Sequence, residues 1–161
     1  MKLRLPHATL DLAASSGFTG IQMAGIERSS LSPPNGEQRV DKAFSQHFAA
    51  DWIESWNAHD LDRVLSHYAD DFEMSSPFII QIAGEPSGRL RGKASVGAYW
   101  SKALQVIPDL RFDLISVLAG IGSVTIYYKG AGNRLAAEVF FFDHNQKVSR
   151  AVAHYDVQAG A

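Results

Sequence analysis

From Val40 the chain carries an apolar residue at every fourth position, Val40, Phe44, Phe48, Trp52 and Trp56, with Ala49 and Ile53 beside them. This is the stripe of an amphipathic helix of about five turns. Asn57-Ala58-His59 breaks it, and Asp60 is placed to cap a short second helix in which Leu61, Val64, Leu65 and Tyr68 share one face. After Ala69-Asp70-Asp71 the period drops to two. Phe72, Met74, Ser76 and Phe78 lie on one side and Glu73 and Ser75 on the other, which predicts a strand. Gly84-Glu85-Pro86-Ser87-Gly88 predicts a loop. A third helix starts near Lys93, with Val96, Trp100, Ala103, Leu104 and Ile107 as its stripe, and Pro108 stops it. Strands are predicted near 110–118, 122–129, 134–143 and 147–156, divided by Gly120-Ile121-Gly122, Gly130-Ala131-Gly132-Asn133 and Asn145-Gln146. Three helices followed by consecutive antiparallel strands describe an α+β fold, with the helices on one face of a curved sheet.

Residues 1–38 follow neither period. They hold Ser15-Ser16, Ser29-Ser30 and the breaker Ser32-Pro33-Pro34-Asn35-Gly36, so a flexible extension is expected there, with the folded domain over 39–161.

The later strands are apolar in both phases. Ala137, Val139 and Phe141 alternate with Ala136, Phe140 and Phe142, whereas a sheet with one wet face alternates apolar with polar. Both faces therefore want cover. Three helices cover one, and a homodimer through the other is expected.

Composition narrows the chemistry. The chain has 161 residues, which suits one domain. Fifteen Lys and Arg against 17 Asp and Glu leave a formal charge of −2, which argues against nucleic-acid and membrane-surface partners. With no cysteine, thiolate metal sites and cysteine nucleophiles are excluded, and a reducing, cytoplasmic setting is expected. Lys2 and Arg4 are not followed by an apolar core, so no secretory signal is expected. The apolar stretch from Leu114 to Tyr128 is too short to span a bilayer. No histidine pair has metal-ligand spacing, so neither a metal nor another cofactor is expected; His47, His59, His67 and His144 read as helix-surface or loop residues.

Trp56-Asn57-Ala58-His59-Asp60-Leu61, leading to Tyr68-Ala69-Asp70-Asp71-Phe72, then Arg91-Gly92-Lys93, Phe142-Asp143 and a last strand ending His154-Tyr155-Asp156, resemble the nuclear transport factor 2-like superfamily in its SnoaL-like and ketosteroid-isomerase-like branch. The resemblance spans about residues 40–157. It implies a cystatin-like α+β barrel, that is, a cone of curved antiparallel sheet wrapped around a long helix, with an apolar cavity and frequent dimerisation through the sheet. It also implies where a ketosteroid isomerase would keep its catalytic groups. The general-base aspartate corresponds to Ser76 before Pro77, a neutral hydroxyl unable to take the proton unaided. The oxyanion-hole tyrosine corresponds to Trp52, whose indole only donates a hydrogen bond, and the protonated aspartic acid corresponds to Glu138. The supporting tyrosines correspond to Tyr68 and Trp100. The isomerase reaction in its usual form is therefore not expected.

Glu138 is the candidate acid or base, because a carboxylate in an apolar strand is costly unless it is neutral or paired. The competing reading is an ion pair with Arg111 or Arg134. Trp52, Trp56, Tyr68, Ser76, Trp100, Phe112, Phe140 and Tyr155 are candidates to line a site for an apolar or aromatic small molecule; as simple core they need no ligand. Arg89 and Arg91 in the loop 84–92 either attract an anion at the mouth of the cone or are merely solvated. His154 and Asp156 share a strand face, which the resemblance turns outward by placing Tyr155 inside. Two function classes stay open: an isomerase, cyclase or dehydratase using Glu138, and a binding or dimerisation module without chemistry.

Overall fold

Asp41 caps the first helix of the computed structural model, which describes residues 40–157: its carboxylate accepts the Phe44 amide at 2.8 Å. Helix α1 (Lys42–Asn57) buries Phe48, Ala49, Trp52 and Trp56, the stripe expected from the four-residue period. Ser45 and Ser55 are buried on the same helix, and each hydroxyl donates to the carbonyl four residues back, at 2.7 and 2.6 Å. Helix α2 (Leu61–Ser66) is capped by Asp60, which accepts from the Arg63 amide at 3.0 Å, and α3 runs Lys93–Val106. The expected extension over 1–38 lies outside the described residues. No helix among those described is long and apolar enough to cross a membrane.

Six strands form one open sheet: β1 (Tyr68–Ser75), β2 (Arg89–Arg91), β3 (Asp113–Gly120), β4 (Ser123–Lys129), β5 (Leu135–Phe142) and β6 (Val148–Tyr155), in the order β2-β1-β6-β5-β4-β3. Two features correct the sequence reading. The sheet is mixed, because β6 returns between β5 and β1 and pairs with β1 in parallel; the other pairings are antiparallel. The edge strand β2 lies within the span expected to be loop. Three residues are too few for a period to show, and only pairing with β1, at Met74↔Leu90, makes them a strand.

Strand boundaries shift for stated reasons. β1 stops at Ser75, since Pro77 offers no N–H to a ladder. Phe78 therefore sits in the turn leading to a short π-helical segment (Ile79–Ala83), off the strand face expected for it. Residues 110–112 are not strand either. Their backbone is held by side chains from the end of α1: Asn57 Nδ2 donates to the Phe112 carbonyl at 2.9 Å, Asn57 Oδ1 accepts the Phe112 amide at 2.7 Å, and His59 Nε2 lies 2.8 Å from the Leu110 carbonyl. Register shifts between Tyr68 and Glu73, Leu114 and Ser116, and Phe141 and Phe142 bend the sheet.

On β4 and β5 one phase is buried (Val124, Ile126, Tyr128; Ala136, Glu138, Phe140) and faces the helices. The other phase leaves Val139 half-buried and Phe141 exposed, with the Arg150 guanidinium 4.6 Å over the Phe141 ring. The sheet thus has a packed inner face and an outer face without cover among the described residues.

Candidate active site

The inner face holds a pocket of about 100 Å³ between α1, α3 and the strands β4–β6. Small residues form part of its wall: Ala103 on α3, and Gly130 and Ala131 in the turn before β5. The walls are aromatic: Trp52 stacks on Phe112 at 5.5 Å and 18°, Phe112 meets Tyr128 at 4.6 Å, and Trp56 packs edge-on to Trp100 at 5.2 Å.

Glu138 is 3% exposed. Its Oε2 accepts from the Tyr128 hydroxyl at 3.3 Å, while Oε1 has no hydrogen-bond partner. Burial pushes its carboxyl up to about 8, more than the Tyr128 hydrogen bond pulls it down. At neutral pH the group is mainly a carboxylic acid, able to donate as well as accept. Neither guanidinium considered from sequence forms an ion pair with it: Arg111 pairs with Asp113 at 3.5 Å, and Arg134 lies 5.7 Å over the Phe78 ring.

A second buried polar atom in the same pocket lacks a partner, the indole Nε1 of Trp56. Trp52 differs. Its Nε1 donates to the Tyr68 hydroxyl at 2.9 Å, so its N–H is already used. The Ser76 hydroxyl accepts the Phe78 amide at 3.2 Å, at the start of the turn that follows β1. Burial pushes Tyr99 up to about 12, and raises Tyr68, Tyr128 and Tyr155 above the ordinary phenol value as well. These phenols keep their protons across the physiological range.

Of the candidates read from sequence, Glu138, Trp52, Trp56, Trp100, Phe112 and Tyr155 come together around the pocket. Tyr68, Ser76 and Phe140 are buried just behind it, in the supporting core rather than along the wall. Arg89 and Arg91 are exposed on β2, Arg91 lies 3.3 Å from Asp71, and neither lines the pocket. His154 is exposed on the other side of β6 from the pocket-lining Tyr155, and Asp156 is exposed just past the end of the strand. His67 is not a surface residue: it is half-buried, its Nε2 lies 2.8 Å from Asp51, and Arg63 binds the same carboxylate, away from the pocket.

Tyr99, Tyr128 and Arg134 were not among the candidate site residues. For Tyr128 a signal existed, since it continues the buried phase of Val124 and Ile126 on the strand that pairs with Glu138's own. Arg134 had none, because its position depends on the turn at Ala131–Asn133. Among the described residues no three His, Asp or Glu side chains gather as metal ligands.

The SnoaL-like domain model matches residues 49–161. Among curated proteins no relative matches the sequence. Among solved structures, the chain is similar to a SnoaL-like protein of unknown function from Burkholderia thailandensis E264, with 61% identity and a TM-score of 0.71, covering 74% of this chain and 99% of the other. It shares its fold with a proposed ketosteroid isomerase from Kribbella flavida DSM 17836, at 18% identity and TM-score 0.56, over 76% of this chain and 84% of that one. The epoxide hydrolase/cyclase-like enzyme SalBIII, which acts in pyran ring formation in the polyether salinomycin, matches at 14% identity and TM-score 0.56, over 73% and 94%.

Proposed function

The chain belongs to the SnoaL-like family, a fold on which unrelated chemistries sit, and from its own pocket we propose that it binds a compact apolar or aromatic molecule and presents Glu138 to it as an acid. The observation that carries this reading is a pair of buried polar atoms without partners, Glu138 Oε1 and Trp56 Nε1, in one aromatic-walled pocket. Leaving such atoms unsatisfied costs about 1–3 kcal/mol each. A ligand oxygen that receives hydrogen bonds from the indole N–H and the carboxyl O–H removes that cost.

Size bounds the ligand. A pocket of about 100 Å³ is smaller than the roughly 150 Å³ cavity that takes up benzene, and well below the roughly 300–1,000 Å³ of sites for drug-sized ligands. A one-ring molecule reaching toward the mouth fits this scale; a four-ring one does not.

In an enzymatic cycle the Glu138 proton passes to a ligand oxygen, of a carbonyl, a leaving group or a strained ether. The carboxylate left behind keeps the Tyr128 hydrogen bond and later takes a proton back. The enzyme classes of the isomerase-like and cyclase-like fold relatives suit an acid of this kind. The alternative is binding without turnover. It is favoured by Ser76, a neutral hydroxyl at the position where the resemblance places an isomerase's base.

The test uses acetophenone, one ring with one acceptor oxygen, followed through the indole N–H resonances in proton–nitrogen NMR spectra. All three tryptophans of the chain line the pocket. The Trp56 resonance should shift in a saturable way, and W56F should weaken binding roughly tenfold, the loss of one buried hydrogen bond. E138Q should still bind. Unchanged indole resonances with acetophenone would overturn the reading.

A further inference from the structure

The two ionisable side chains on the pocket wall, phenols aside, are Glu138 and Arg134. With Glu138 held as the acid, the pocket carries one formal charge, and it is positive. Arg134 is half-buried, directly after the Ala131–Asn133 turn that leads into β5. Its guanidinium lies over the Phe78 ring, and that ring packs edge-on to Tyr155 at 4.5 Å. No carboxylate pairs with it among the described residues, whereas Arg63 has two and Arg91 and Arg111 have one each.

Arg134 keeps contact with solvent, as do the wall residues around it, Phe78, Gly130, Ala131 and Tyr155, so the guanidinium borders both the pocket and the solvent. The tryptophans and Glu138 of the same wall are buried. The arrangement is polarised: an apolar, hydrogen-bonding interior and a cation at the entrance, its face resting on an aromatic ring and its N–H edges free for a planar anion.

Resting on the pocket reading above, we propose that the substrate class is a small organic acid, with a one-ring or similarly compact apolar body inside and a carboxylate held by Arg134 at the mouth. The carboxylate is the group a guanidinium fork matches in two parallel hydrogen bonds. A charge at the mouth also remains partly hydrated, so the ligand need not lose its full hydration shell on binding.

Benzoate and acetophenone make a matched pair, similar in size and shape and differing in charge. Titrated into the full chain by NMR at low salt, benzoate should bind at least tenfold more tightly than acetophenone. That advantage should shrink at high ionic strength. In R134Q benzoate affinity should fall to the acetophenone level while acetophenone affinity stays unchanged. R134K should restore part of the preference, as a point charge without the planar fork. Equal affinity of the two probes for the wild type, or R134Q weakening both alike, would overturn the organic-acid proposal and leave the pocket reading standing. If neither probe moves an indole resonance, both fail together.

Discussion

Glu138 shows how one residue carries a chemical role and a stability cost at once. Its folded-state carboxyl titrates near 8, against 4.5 for an unperturbed glutamate. The folded chain therefore holds this proton more tightly than the unfolded chain. Between about pH 4.5 and 8 the unfolded state has already released it, so this group makes the fold progressively less stable as pH rises through that window. Below the window it imposes no such cost, and above it the cost is constant. Urea denaturation across pH should show this decline in the wild type, and E138Q should flatten it and be the more stable protein at neutral pH. A carbon-13 titration placing the Glu138 carboxyl near 4.5 would contradict the burial argument.

Among the elements, the junction between α1 and the segment before β3 does more for the site than its sequence suggests. Asn57-Ala58-His59 reads as a helix breaker, and His59 does take a left-handed backbone at φ 55°. Two of these residues, Asn57 and His59, also clamp the chain at Phe112 and Leu110, both of which face the pocket. Asn57 offers a donor and an acceptor in the spacing of a backbone amide pair, replacing the ladder bonds that residues 110–112 lack. N57A should cost about 1–3 kcal/mol in urea denaturation, because two backbone groups lose their partners. N57D keeps the acceptor and should lose less. Both should broaden or shift the Trp52 indole resonance, since Phe112 stacks on Trp52.

For the molecule as a whole, the outer sheet face remains to be accounted for. Val139 is half-buried and Phe141 exposed there, beside Val152 on β6. We propose that this face meets the same face of a second copy, an isologous contact in which each apolar strand supplies cover for its counterpart. Sedimentation should give a dimer at micromolar concentration, and V139K should yield monomer or aggregate, since a charge there is buried without a partner. A stable wild-type monomer would refute it. Neither Val139 nor Phe141 lines the pocket, so acetophenone binding by soluble V139K monomer should be retained.

The helices and most strands were legible in the sequence because each follows from a local rule. A four-residue period specifies α1, Asp60 caps α2, and Pro108 closes α3; α2 ends at Ser66, and Tyr68, expected on its face, opens β1 instead. The SnoaL-like resemblance was legible because it rests on runs of adjacent residues, and Glu138 stood out as a lone charge in an apolar strand. What the tertiary structure decided depends on residues far apart in the chain. The parallel pairing of β6 with β1 and the three-residue β2 have no period of their own. Trp52 and Trp56 occupy equivalent positions on the helical stripe, yet Tyr68 meets one indole N–H and nothing meets the other. Arg89, Arg91 and Arg134 look alike as basic residues near turns, and packing brings only Arg134 to the pocket. A side chain's type is written locally, but whether it is satisfied depends on which distant atoms the fold sets beside it.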